Sequence, residues 1–292
     1  MRKFLLGLGA QRSGTTAVDT YLKKLNIVEP PLIKEMHIWD AIEIDECSKW
    51  REPMRKFPES NEYFIHLKKL RMFLQNDTKL YFEYFDRLLK KNNKIITYDL
   101  SPTYMGLKKN TLLEIDEGFK NLNIDCKYLL IIRDPIERCW SAVKYLQKKH
   151  RDGIKAPDQN NFNTFLRESV ITNINPETAL NKYIYSYDAK FRTSYDIIIK
   201  NMLEVMPRDK LLILIFENLN QKSFFNEINN FLNIDEHENY NTKKINSSTE
   251  EVLKNENLKK IIVENFKNTY LFCKDFVPET QKLWDGFKYL ND

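Results

Sequence analysis

Lys3-Phe4-Leu5-Leu6-Gly7-Leu8-Gly9-Ala10-Gln11-Arg12-Ser13-Gly14-Thr15-Thr16 decides the fold. Lys3 to Leu8 is a continuous apolar run, the pattern of a strand covered on both faces. After it the glycines at 9 and 14 frame a tight turn, and Val18, Tyr21, Leu22 and Leu25 then recur at helical spacing. Strand, loop, helix is the reading, and of the chain's seven glycines three fall within its first fourteen residues. Backbone amides in such a loop, together with the helix N-terminus at Gly14 to Thr16, form an anion site with partial positive charge.

Further apolar, β-branched runs predict parallel strands at Lys94–Leu100, Lys127–Ile132 and Lys210–Phe216. Helical patterns lie between and after them, at Tyr63–Leu74, Lys79–Leu89, Ile136–Lys148, Pro176–Met206, Phe224–Leu232 and Glu250–Phe272. The alternation predicts an α/β fold with a central, mostly parallel sheet flanked by helices, and the phosphate-loop spacing of Gly9 and Gly14 points to its three-layer, P-loop NTPase-like class. The expected organisation is one domain over 1–292, with helical and loop insertions at about 40–92 and 149–190 shaping an acceptor site. Gly9 and Gly14 have the spacing of a nucleoside-triphosphate phosphate loop, but Thr15 stands where its lysine belongs and the cation is Arg12 inside the loop. A second constellation follows the third strand: Arg133-Asp134-Pro135-Ile136-Glu137-Arg138-Cys139-Trp140-Ser141. Asp134, Pro135 and Glu137 read as N-cap, N1 and N3 of a helix. Arg133 is thereby set at the carboxyl end of a strand, where open α/β sheets bind ligands, and Ser141 lies two turns along the helix.

The 292 residues carry a net charge of +5 with both signs interspersed, 30% charged and 42% hydrophobic residues, and a mean hydropathy of -0.55. That balance fits a soluble globular protein and a small anionic ligand, and lacks the concentrated basic stripe of a nucleic-acid binder. No apolar run approaches the ~20 residues of a bilayer span. Met1-Arg2-Lys3 and the apolar run after it superficially resemble a secretion signal, but the run is short, lacks an Ala-x-Ala site and leads directly into the loop. Cys47, Cys126, Cys139 and Cys273 are scattered without metal-ligand spacing, so reduced thiols, a cytoplasmic location and no metal are expected. No oligomeric state can be read from the pattern.

Taken together, the two motifs resemble those of sulfotransferases that use 3′-phosphoadenosine 5′-phosphosulfate (PAPS), releasing 3′-phosphoadenosine 5′-phosphate (PAP). Gly9 to Thr16 resembles the loop that holds the 5′-phosphosulfate; Arg133 to Ser141 resembles the 3′-phosphate motif, in which the Arg and the Ser grip that phosphate. The resemblance implies that Gln11, Arg12, Ser13, Gly14, Thr15, Thr16, Arg133 and Ser141 bind the donor. It extends to Thr193-Ser194-Tyr195, with Tyr195 as an adenine contact, and to Leu211–Leu219. Lys243-Lys244-Ile245-Asn246-Ser247-Ser248 is similar to the late loop that closes over the nucleotide, which adds Lys244 to the donor set.

Sulfuryl transfer needs an acceptor for the hydroxyl proton and cations at the departing oxygen. Lys34-Glu35-Met36-His37-Ile38-Trp39 supplies both residue types and resembles the Lys-Glu-Pro-His-Phe-Phe stretch of glycan sulfotransferases, whose Glu is the base. The small-molecule enzymes use a His, so Glu35 and His37 are the two candidate bases, with Glu35 preferred and His37 lining the acceptor site. Asp99-Leu100-Ser101-Pro102-Thr103-Tyr104 is similar to their Glu-Lys-Ser-Pro-x-Tyr segment, with Leu100 in place of the lysine. Arg12 and Lys34 are therefore the expected catalytic cations, and Asp99 and Tyr104 the expected acceptor contacts, with turn capping as the competing role of Asp99. Trp39 and Trp140 lie beside the same stretches, where core packing competes with sugar stacking. The resemblance implies PAPS-dependent sulfation of a hydroxyl, on a carbohydrate by its closest motifs. The alternatives are a P-loop kinase or NTPase, which wants the missing lysine, and a non-catalytic nucleotide- or glycan-binding protein on the same fold.

Overall fold

The computed structural model describes residues 1–52, 61–152, 174–235 and 252–290. Its centre is a four-stranded, all-parallel sheet of β1 (Arg2–Gly9), β2 (Ile96–Leu100), β3 (Ile124–Ile132) and β4 (Leu211–Ile215), in the order β2-β1-β3-β4. The expected α/β architecture is borne out, because each of the four predicted apolar runs becomes a strand. Phe4, Leu6, Leu8, Tyr128, Leu130 and Ile132 face one buried cluster, while Leu5, Leu129 and Ile131 face another on the opposite side. Two buried faces with a side-chain period of two are what a three-layer sandwich requires, and they explain why the strands read as unbroken hydrophobic runs.

Helix α1 (Thr15–Leu22) packs Ala17, Val18, Tyr21 and Leu22 on one face of the sheet together with α10 (Lys222–Leu232). On the other face lie α2 (Trp39–Glu43), α3 (Glu62–Asn76), α4 (Thr78–Asn92), α5 (Lys109–Lys120) and α6 (Pro135–Arg151). Here Phe4 stacks on Phe119 at 4.0 Å and meets Phe85 edge-on at 4.6 Å. Helix α5 was not expected: its Leu112, Ile115 and Phe119 have helical spacing, but it has no side-chain N-cap and carries Gly118 near its end. The single helix expected over Pro176–Met206 is three, α7 (Pro176–Tyr183), α8 (Tyr187–Thr193) and α9 (Tyr195–Leu203). Ser186 breaks the run by capping the Ala189 amide, as a serine competing for backbone donors does. The last pattern likewise divides at Phe266 into α11 (Glu256–Asn265) and α12 (Lys267–Phe276).

The connection leaving α1 positions the site. Val28 pairs in parallel with Ile96, the Glu29 amide donates to the Ile96 carbonyl at 2.8 Å, and the Leu100 amide donates to the Lys34 carbonyl at 3.2 Å. The chain thus runs along the outer edge of β2 and delivers Lys34 and Glu35 to the carboxyl end of the sheet, where the loops after β1, β2, β3 and β4 converge.

Candidate active site

In the first loop Gly14 takes φ 89 and caps α1 with no side chain, so the first amides of α1 are left for a ligand. A Cβ at residue 14 would stand 3.2 Å from Phe216 and Leu219, which together with the positive φ requires glycine here. Ser13 is fully buried and its hydroxyl has no hydrogen-bond partner among the described residues. Arg12, also at positive φ, donates through Nε to Ser141 Oγ at 3.0 Å and lies 4.8 Å from the Tyr145 ring centre. Arg133 donates through Nη1 to the Arg12 carbonyl at 3.0 Å, stacks 4.3 Å over Phe216 and lies 3.7 Å from Glu137. The two sequence motifs, more than a hundred residues apart, thus meet as one basic wall built from Arg12, Arg133 and Ser141.

That wall is braced from behind. Asp134 caps α6 through the Ile136 amide at 3.0 Å and accepts from the Gly286 amide at 3.0 Å, while its own amide donates to Glu217. Burial pushes the Glu217 carboxyl up to about 7, against the lowering by the Asp134 amide. Tyr195, the expected adenine contact, is fully buried, and its hydroxyl donates to the Arg133 carbonyl at 3.1 Å and accepts from the Arg133 amide at 3.3 Å. It thereby fixes the backbone of Arg133. Lys244 lies outside the described residues.

The Lys34–Ile38 loop is held from both sides. From below, Asp99 Oδ1 accepts the Met36 amide at 3.3 Å, Ser101 Oγ the His37 amide at 3.1 Å and the Tyr104 hydroxyl the Ile38 amide at 3.1 Å. From above, Arg71 donates to the Met36 and Glu35 carbonyls and Gln75 to the His37 carbonyl at 2.7 Å. Every one of these amides and carbonyls is thereby satisfied, which permits His37 to hold φ 51. Asp99 and Tyr104, the expected acceptor contacts, are both 0% exposed and are not among the described residues that line the two cavities below. Asp99 also accepts from the Tyr81 and Tyr104 hydroxyls and from Ser101; burial raises its carboxyl to about 6 in spite of those donors. Trp39 and Trp140 are buried too, and Trp39 packs edge-on against Tyr81.

The exposed edge of this loop carries the charges. Lys34 Nζ lies 3.0 Å from Thr16 Oγ1, 3.5 Å from Thr15 Oγ1 and 3.1 Å from Glu35 Oε1, so it occupies the neighbourhood that Thr15 leaves without a lysine. Glu35 Oε2 is 3.5 Å from His37 Nε2, and His37 Nδ1 is 2.7 Å from the fully buried Asp40. Burial works against the imidazolium, but the hydrogen bonds to Asp40 and Glu35 outweigh it and raise His37 to about 9. Burial likewise favours the neutral Glu35, yet His37 and Lys34 bring its carboxyl down to about 2. At neutral pH His37 is therefore held as the imidazolium and Glu35 as the carboxylate, in a row that runs from Asp40 through His37 and Glu35 to Lys34. Trp50 stacks face to face on His37 at 4.3 Å.

Two hollows meet here. A cleft of about 610 Å³ is lined by Arg12, Gly14, Thr15, Thr16, Arg133 and Phe216. A smaller cavity of about 140 Å³ is lined by His37, Lys49, Trp50, Thr103, Lys149 and Arg192. Gln11, Glu35, Pro102 and Tyr145 line both. Among the expected residues, then, Gln11, Arg12, Gly14, Thr15, Thr16, Lys34, Glu35, Arg133 and Ser141 come together about the cleft, and His37 lies in the cavity.

Sequence reasoning missed Asp40, Trp50, Arg71, Gln75 and Tyr145. Arg71 and Gln75 are one helical turn apart on α3 and read as ordinary polar positions of a helix face; Asp40 follows His37 by three residues, a spacing whose meaning depends on the turn between them. Among the described residues no group of three or more His, Cys, Asp and Glu side chains is arranged to hold a metal ion, and no helix is long and apolar enough to cross a membrane.

No protein-family model matches the chain, and no curated protein does. Solved structures do. A sulfotransferase from Alicyclobacillus acidocaldarius superposes with a TM-score of 0.56 at 19% identity, over 95% of this chain and 96% of that one. The sulfotransferase domain from the curacin biosynthetic pathway aligns at 16% identity over 81% of this chain and 76% of that one, with a TM-score of 0.45. The sulfotransferase domain of the Synechococcus PCC 7002 olefin synthase does so at 13% identity over 94% of each chain, with a TM-score of 0.44. The first of these, matching nearly end to end a chain whose loops already meet in one cleft, shows that this protein has the sulfotransferase fold.

Proposed function

We propose that the protein transfers a sulfuryl group from PAPS to an acceptor hydroxyl, on a carbohydrate. The observation that carries this reading is the position of Glu35, which lines both the basic cleft and the smaller cavity, with Lys34 bridging it to Thr16. The cleft suits the donor: loop amides, the unpartnered Ser13 hydroxyl and Lys34 on one side would take the 5′-phosphosulfate, and Arg12, Arg133 and Ser141 on the other the 3′-phosphate. The donor supplies an activated sulfur whose bond to the phosphate oxygen breaks as the acceptor oxygen bonds to it.

The chain supplies orientation and charge. Glu35 accepts the hydrogen bond of the acceptor hydroxyl and takes its proton on a carboxylate oxygen as negative charge leaves toward the phosphate. A carboxyl near 2 is a weak base, and Lys34 is one reason it is so low. When the ammonium turns from Glu35 to the departing oxygen it stabilises that charge and, by the same movement, raises the proton affinity of Glu35. His37, held cationic by Asp40, keeps Glu35 pointed at the junction and ionised until then. Arg12 is engaged with Ser141 and Tyr145, so it serves donor binding more directly than the leaving group, and Lys34 is the catalytic cation.

The test is calorimetry with PAP against ADP and ATP, followed by sulfuryl transfer from PAPS to a panel of sugars. Preference for PAP with turnover that disappears in Glu35→Gln supports the assignment. Equal affinity for PAP and ADP, or undiminished turnover in Glu35→Gln, overturns it.

A further inference from the structure

The smaller cavity carries more positive charge than an uncharged acceptor calls for. Among the described residues that line it, the lysines and arginines are Lys49, Lys149 and Arg192 and the acids are Glu35 and Asp188, with His37 held protonated between Asp40 and Glu35. Both acids are already neutralised, Glu35 by Lys34 and His37, and Asp188 by Arg192 Nε at 2.7 Å. Lys49 and Lys149 are half-buried against aromatic faces, with Lys49 Nζ 5.7 Å from the Trp50 ring centre and Lys149 Nζ 5.4 Å from that of Tyr145. Arg192, with a side chain 6% exposed, keeps a buried Nη1 that has no hydrogen-bond partner among the described residues. A buried guanidinium donor left unmatched is costly unless a ligand or water completes it.

Size narrows the occupant. A cavity of about 140 Å³ is close to the engineered cavity of about 150 Å³ that holds one benzene ring. Trp50 and Tyr145 give it aromatic walls and Thr103 a hydroxyl, a lining suited to one flat or pyranose ring.

We propose that the acceptor is a single-ring hydroxy acid, of the uronic acid type, whose hydroxyl meets Glu35 while its carboxylate is held by the cations Lys49, Lys149 and Arg192. This rests on reading Glu35 as the group that meets the acceptor. The carboxylate opposes the surplus positive charge, and a second carboxylate kept away from Glu35 by the width of the ring avoids like-charge repulsion there.

The experiment uses the full chain saturated with PAP, and two pairs of probes alike except for charge: methyl glucuronide against methyl glucoside, and 4-hydroxybenzoate against 4-hydroxybenzamide. Binding is read by calorimetry and turnover with PAPS. In at least one pair the carboxylate member should be preferred about tenfold or more. The preference should shrink with added salt and collapse in the Lys49→Met/Lys149→Met double variant, whose PAP affinity should be unchanged, since neither lysine lines the cleft. Binding of neither member of either pair, equal binding, or a preference that survives the double variant overturns the proposal. PAP affinity separates the two readings: a protein that prefers the carboxylates without binding PAP keeps the carboxylate site at Lys49, Lys149 and Arg192 but loses sulfuryl transfer, and with it the role of that ligand as acceptor. Tight PAP binding without a carboxylate preference does the reverse.

Discussion

Arg12 and Ser141 are joined at 3.0 Å across 129 residues of sequence. That bond ties the loop after β1 to the second turn of α6, so the two sequence motifs are one surface. Arg133 reinforces it by donating to the carbonyl of Arg12.

Removing the 3′ side of this surface should erase discrimination between PAP and ADP. A charge-assisted hydrogen bond contributes roughly 1.5–3 kcal/mol, so Arg133→Ala should weaken PAP binding by about ten- to a hundredfold while changing ADP affinity little. Titration calorimetry with both nucleotides checks this; equal losses for the two would place Arg133 elsewhere.

Lys34 and Arg12 should separate kinetically. Lys34→Met is expected to lower kcat by about 10² or more with a small change in PAP affinity, if its ammonium acts at the departing oxygen as proposed. Arg12→Met should chiefly raise the PAP dissociation constant. Steady-state kinetics beside calorimetry distinguishes them, and identical profiles would contradict the division of roles.

Glu35→Gln preserves size and hydrogen bonding but cannot take a proton. Its turnover should fall by about 10²–10⁴ with PAP affinity retained within a few fold.

The charge row predicts an upper pH boundary. His37 lies above its ordinary 6.5, so what it adds to stability is complete below that pH and is lost as pH rises through about 9. Glu35 behaves oppositely: its contribution is complete above 4.5 and lost as pH falls through about 2. Turnover should decline above about 9, and His37→Gln should remove that boundary while raising the Glu35 carboxyl toward its ordinary value. A pH–rate profile of both proteins is the measurement; an unchanged boundary in the variant would assign it to another group.

The cradle beneath the Lys34–Ile38 loop should be separable from binding. Tyr104→Phe leaves the Ile38 amide and one Asp99 oxygen short of a partner, at a cost of about 1–3 kcal/mol, and should lower Tm and kcat without altering PAP affinity. Asp99→Ala, which strands the Met36 amide and three hydroxyls, should cost more. Thermal melts with and without PAP give the comparison.

Local sequence was enough for the strands and for the two loops. An apolar run between polar flanks, a glycine that must take positive φ, and an Asp-Pro-x-Glu helix start all act over a few residues, so β1 to β4, the first loop and the start of α6 were legible. Sequence also placed Glu35 and Lys34 beside each other. What it left undecided was direction. Asp99, Tyr104 and Tyr195 are polar residues at strand or helix ends, and nothing local says whether such a side chain faces a ligand or a neighbouring backbone. The tertiary structure turns all three inward, because the Lys34–Ile38 loop and Arg133 bring backbone amides into the interior that must find partners there. It likewise brings Asp40 to His37, Lys34 to Thr16, and Glu35 to the junction of two hollows. The last two depend on the path of residues 27–34 along β2, a long-range pairing that no short stretch of sequence encodes, and the first on the turn that the loop takes once it is held there.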